Sequence, residues 1–200
     1  AADETLNEIL PVMFDPTVMP KRMNQSSGVD IVATSAVNFY EGVTQKEVED
    51  FYNAMKDPND NTPVSYGLNS KVVRQDGIVT EQVWKLGSMY DKAIERIIGW
   101  LEKAATVAEN DHQKEVINTL ISYYRTGDLK TFDDYSVKWV TDTSSRVDFV
   151  NGFIENYADP LGMKATWESI VNFKSEEASE RTRIISENAQ WFEDNSPVDD

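Results

Sequence analysis

Asp76-Gly77 joins two runs rich in β-branched residues, 70–75 and 78–84. A two-residue Asp-Gly link suits a type I′ turn, in which both central residues take positive φ, so it predicts a tight antiparallel hairpin. Three helical patterns follow with no strand between them, which rules out a regular βαβ alternation. A second extended pair and a last helix then close the chain, so the order of elements predicts an α+β fold, helix-rich, with a β-hairpin and a separate strand pair.

The helices carry their own signals. Thr44 and Glu47 form a capping-box spacing ahead of Val48, Phe51, Tyr52 and Met55. Ser88 is expected to cap a helix whose stripe is Tyr90, Ile94, Ile97, Ile98, Leu101 and Ala105. A second helix from about Asp111 carries Val116, Ile117, Leu120, Ile121 and Tyr124 and stops at Gly127. Thr131 opens a third, with Phe132, Tyr135, Trp139 and Val140, and Ser175 caps one last helix over 176–193. Nearer the N-terminus, residues 5–10 read as a helix end stopped by Pro11, and residues 29–40 read as a strand or buried extended segment. The chain divides into a mixed stretch (1–87), a helical stretch (88–141) and a strand pair with a C-terminal helix (142–200), within one domain or a sub-domain fragment.

Charge narrows the function. The net charge of −16 disfavours nucleic acid, whose phosphates need Lys and Arg, and disfavours anionic membrane surfaces. No apolar run approaches the ~20 residues of a membrane-spanning helix. The absence of cysteine excludes disulfides, thiol catalysis and cysteine zinc sites. With no recognisable targeting signal, it gives a cytoplasmic expectation. His112 is the single histidine and reads as an exposed helix residue; with no cysteine it makes no ordinary zinc site. Residues 38–42 and 66–69 read first as turn chemistry and second as groove walls.

The run RVDFVNGFIENYADPLGMKATW, residues 146–167, is where chemistry concentrates. If 147–157 is a strand, Phe149, Phe153, Glu155 and Tyr157 share a face. Asp159-Pro160 and Gly162 then turn the chain, and a partner strand over 165–173 brings Glu168 near Glu155 and Tyr157. Two carboxylates and a phenol suit an ammonium group, through charge-assisted hydrogen bonds, and a carbonyl that develops negative charge. A polar network bonded to backbone explains the same residues equally well.

GFIENYADPLG at 152–162, followed by Trp167-Glu168, resembles the dipeptidyl peptidase III family of zinc exopeptidases. NFYEGVT at 38–44, SYGLNS at 65–70, the helices over 88–126, WESIVNF at 167–173 and NAQWFED at 188–194 extend the resemblance. It implies part of the substrate-binding lobe, which contains a β-barrel core, of an enzyme that releases dipeptides from the N-termini of short peptides. By position, Glu155 is implied to hold the substrate's free amine, Tyr157 to contact its carbonyl and stabilise the tetrahedral intermediate, and Glu168 to serve as a further cleft glutamate. The family's HExxGH zinc motif does not occur in this sequence. The expectation is therefore an internal piece that holds no cofactor, is inactive alone, and depends on the remainder of a parent chain that carries the zinc. The alternative is a non-catalytic peptide-binding or structural domain of the same fold.

Overall fold

The computed structural model describes residues 2–15, 18 and 21–197. Its elements run α1 (Ala2–Phe14), β1 (Tyr40–Glu41), α2 (Gln45–Asn53), β2 (Ser70–Gln75), β3 (Ile78–Val83), α3 (Asp91–Ala105), α4 (Asp111–Thr126), α5 (Leu129–Thr141), β4 (Val147–Glu155), β5 (Thr166–Phe173), α6 (Glu176–Glu187) and α7 (Ala189–Asp194). This is an α+β fold. β1 pairs parallel to β2, β2 pairs antiparallel to β3, and β4 and β5 form a separate antiparallel ribbon.

The hairpin forms at Asp76-Gly77, whose φ values are +51° and +81°. Thr44 caps α2 with both halves of the capping box in place. Gly127 ends α4 in the left-handed region, and Asp128 caps α5 immediately afterwards. That adjacency turns the chain back within two residues and lays α5 against α4.

Two apolar clusters hold the molecule together. In the larger, Ile94, Ile98 and Leu101 of α3 meet Val116, Ile117, Leu120, Ile121 and Tyr124 of α4. Phe132 and Tyr135 of α5, Trp84 and Phe153 join the same cluster, which ties the ribbon to the helices. The smaller cluster packs Val48 and Tyr52 of α2 against Val32, Val43 and Val72. Fully burying one such side chain contributes roughly 1.5–3 kcal/mol.

Several elements differ from expectation. Residues 31–35 form turns rather than a strand. Asp30 Oδ1 accepts from the amides of Val32 and Ala33, and its carboxylate also takes the Gln45 amide. A short acidic side chain thereby outcompetes sheet pairing despite the β-branched neighbours. α1 continues through Pro11, whose carbonyl still accepts from the Asp15 amide. α3 is not capped by Ser88: Tyr90 takes the left-handed conformation at the N-cap, and Asp91 Oδ1 receives the Gly87 amide. Tyr90 itself is exposed. α5 begins two residues before Thr131, because Asp128 supplies the cap and Thr131 donates to it. The last helical stretch divides at Asn188, whose side-chain amide donates to the Ile184 carbonyl.

Candidate functional site

The ribbon β4–β5 carries the residues singled out from the sequence. Gly152 pairs with Glu168 and Phe153 with Trp167, but Glu155 pairs with Thr166, so Ile154 is surplus and forms a β-bulge. The bulge shifts Glu155 out of the Phe149–Phe153 alternation and onto the side of Gly152, Thr166 and Glu168. The expectation that Glu155 shares a face with Phe149 and Phe153 is therefore wrong. The bulge instead makes Glu155 a diagonal cross-strand neighbour of Glu168, a relation that typically spans about 7–8 Å. Glu155 and Glu168 are both half-buried.

Tyr157 lies outside the strand, which ends at Glu155, and is 71% exposed in the turn that follows. Across the ribbon, Trp167 donates through Nε1 to the Tyr124 hydroxyl at 2.8 Å, and that hydroxyl donates to Asn151. These bonds fix the ribbon on α4. Phe153 stacks at a tilt on Trp84, with ring centroids 4.8 Å apart.

Beside the ribbon lies a cavity of about 710 Å³ whose walls include Phe39, Trp84, Ile94, Phe153 and Trp167, with Arg96 among its lining. Glu155, Tyr157 and Glu168 are not on its wall. Asn38 and Phe39 line this cavity, and Tyr66 and Leu68 line a second of about 520 Å³, so parts of 38–42 and 66–69 serve as groove walls.

Sequence reasoning missed a polar cluster beneath the turn. Lys164 is completely buried. Its ammonium donates to the Tyr52 hydroxyl and, at 2.9 Å, to Ser70 Oγ. Both hydroxyls donate in turn to Glu81 Oε1, Tyr52 at 2.7 Å. The lysine and the glutamate, 3.9 Å apart, thus form an ion pair bridged by two hydroxyls. The Tyr52 ring also sits 4.5 Å from Nζ. Burial pushes the Lys164 amine down to about 8, although Glu81 and Asp159 oppose the shift. Burial and the neighbouring Asp159 carboxylate raise the Tyr40 phenol well above its usual range; burial and Glu81 do the same to Tyr52.

Asp159, also buried, gathers the turn. Its Oδ2 accepts from the amides of Met163 and Lys164, each at 2.8 Å, and from the Tyr40 hydroxyl at 2.9 Å. The sequence signal for this cluster was a lone lysine between Met163 and Ala165, directly before a strand.

Among the described residues, no three His, Asp or Glu side chains converge to hold a metal ion. His112 is half-buried rather than exposed, with Nε2 3.0 Å from the Lys138 carbonyl. Among the described residues, the histidine and the scattered carboxylates do not make a zinc site. No described helix is long and apolar enough to cross a membrane.

Comparison with known proteins gives the class to which this chain belongs. Residues 36–199 match the profile of peptidase family M49. The chain belongs to that family. It is 28% identical over 110 residues to dipeptidyl peptidase 3 of Dictyostelium discoideum, which is 55% of this chain and 16% of that protein. To dipeptidyl peptidase 3 of Homo sapiens it is 30% identical over 82 residues, 41% of this chain and 11% of that protein. The stretch matched is thus a small part of each relative's length. Among solved structures, DPP III from Caldithrix abyssi superposes with a TM-score of 0.58 at 21% identity, covering 90% of this chain and 34% of that one. Dipeptidyl-peptidase III from Corallococcus sp. strain EGB gives 0.55 at 22%, covering 81% and 29%. These two likenesses concern the fold.

Proposed function

We propose that this chain supplies substrate-binding residues to the cleft of a zinc-dependent dipeptidyl peptidase acting on short peptides with a free N-terminus. Glu155 accepts hydrogen bonds from the peptide's ammonium group, with Glu168 adding a second carboxylate on the same side of the ribbon. Tyr157 donates its phenolic proton to the carbonyl of the scissile bond, where negative charge develops as the bond is attacked. The observation that carries this reading is the bulge at Ile154, which brings Glu155 and Glu168 to one side just ahead of an exposed Tyr157. The zinc, and the base that activates water on it, belong in this reading to the remainder of the parent enzyme. That remainder also covers the exposed apolar residues Ile170, Val171 and Phe173 of β5 and Trp191 and Phe192 of α7.

The test uses the full-length enzyme carrying this sequence. Glu155→Gln raises KM for free peptides much more than for the same peptides with an acetylated N-terminus, because only the former present an ammonium group. Tyr157→Phe lowers kcat by about 10²-fold, in the range seen when one donor to a developing oxyanion is lost. Unchanged kcat in Tyr157→Phe, or an equal KM change for both substrates in Glu155→Gln, would refute the corresponding role.

A further inference from the structure

We propose that Lys164 and Asp159 are positioning residues for Tyr157, acting through the turn that joins β4 to β5. The proposal rests on the role given to Tyr157 above. Tyr157 sits at the start of a ten-residue connection, 156–165, and is mostly exposed. Its place in space is therefore set by where the backbone of that connection is tied down.

The ties are few and specific. Asp159, two residues after Tyr157, binds the far side of its own turn through the Met163 and Lys164 amides. The same carboxylate oxygen takes the hydroxyl of Tyr40, which β1 presents from beside β2. The Asn156 side chain closes the turn on the Gly162 carbonyl at 2.7 Å. Lys164 then drives its side chain into the first sheet, reaching Tyr52 of α2, Ser70 of β2 and, through them, Glu81 of β3. The next amide, that of Ala165, donates to the Leu68 carbonyl at 2.9 Å. The loop is thus fastened through two carboxylates, its own Asp159 and Glu81, by groups from four elements, β1, α2, β2 and β3.

The socket for the ammonium is shaped for it. A Cβ on Gly67 would lie 2.8 Å from Lys164 Nζ and 2.8 Å from the Tyr52 ring, so only glycine leaves room. Burying an ammonium is expensive, and an apolar residue of similar volume often stabilises a fold as well or better. Stability alone is a poor reason for a lysine here. Hydrogen bonds, unlike apolar contacts, fix direction, and a displacement of about 1 Å at a reacting group can cost 10²-fold in rate.

The experiment is a double-mutant cycle in the full-length enzyme, with thermal unfolding used to confirm that each variant folds. Lys164→Met is expected to lower kcat by about 10-fold or more with little change in KM. In the Tyr157→Phe background the same substitution is expected to change kcat less than about twofold, because the group it positions is already gone. If the two effects multiply, or if Lys164→Met retains full kcat, the proposal is overturned while the role of Tyr157 stands. If Tyr157→Phe alone retains full kcat, the reading of the site fails first. Should Lys164→Met not fold, Tyr40→Phe decides: it removes one hydroxyl from Asp159, and a drop in kcat that vanishes in the Tyr157→Phe background supports the proposal, whereas unchanged kcat or a multiplying effect overturns it.

Discussion

Gly127 and Val83 approach so closely that no side chain fits between them: a Cβ on Gly127 would lie 2.5 Å from Val83 Cγ1. The contact seats the α4–α5 corner on the end of the first hairpin, and Asn69 reinforces it by donating to the Gly127 carbonyl at 3.0 Å. Gly127→Ala therefore meets two penalties, a positive φ of 71° and a steric clash. It should destabilise the fold by about 3 kcal/mol. Gly77→Ala, at a positive φ but with open space around it, should cost only about 1–2 kcal/mol. Urea unfolding of the two variants side by side checks the difference; equal losses would mean that the hairpin end yields freely to the corner.

Lys164 should give the fold an unusual pH dependence. Burial pushes its amine down to about 8 in the folded chain, from the 10.5 of a free lysine side chain. Below pH 8 both states carry the charge, and the cost of burying it is constant. Between about 8 and 10.5 the unfolded state binds the extra proton, so stability rises with pH, by up to ~3 kcal/mol from this group alone. The raised phenols of Tyr40 and Tyr52 act the other way above pH 10, where unfolded tyrosines begin to ionise. The two phenols are common to the native chain and Lys164→Met, so the unfolding free energy of the first minus that of the second should grow from pH 8 to about pH 10.5 and then level. A difference that stays flat across that interval would contradict a depressed Lys164.

Thr44 ties α2 to its own first turn and, through Glu47, to the hairpin. The Glu47 carboxylate accepts the Thr44 amide at 3.0 Å and pairs with Arg74 at 2.5 Å. Thr44→Ala should cost about 1 kcal/mol, and Thr44→Ser almost nothing, because serine caps as well. Thermal unfolding of both variants distinguishes a lost cap from a lost methyl group.

Val171 is 67% exposed near the end of β5, beside Ile170 and Phe173. A strand that shows apolar side chains on an edge invites pairing with another chain. Val171→Lys should leave the unfolding free energy within about 0.5 kcal/mol. The same change should lower self-association of this chain in sedimentation velocity at high concentration. Unaltered association would locate the adhesive surface elsewhere.

What could be read from the sequence was what depends on neighbours along the chain. Asp76-Gly77, the Thr44–Glu47 spacing and Gly127 each specify a local conformation, and each holds in the structure. The strand or buried extended segment expected over 29–40 gives way to turns at 31–35 for a local reason as well, since Asp30 offers the backbone a side-chain acceptor that composition alone does not weigh. The ribbon was legible as a strand pair, yet its sidedness was not, because Ile154 looks like any apolar strand residue and its surplus status exists only relative to β5. Lys164 was invisible for a different reason. Its partners Tyr52 and Ser70 lie 112 and 94 positions away, and nothing in the local sequence says that a lysine will be drawn inside.

Ile154 makes the orientation of the ribbon's tip a question of parity. Substitutions on either strand change what a side chain is, but leave untouched which way it points. The loss or gain of one codon in this short stretch would swap Glu155 to the opposite side, and a second such event would restore it. In lineages that keep this arrangement, length in the tip should be far less tolerant of change than residue identity around it, and loops engineered elsewhere in the chain are the safer places to insert or delete.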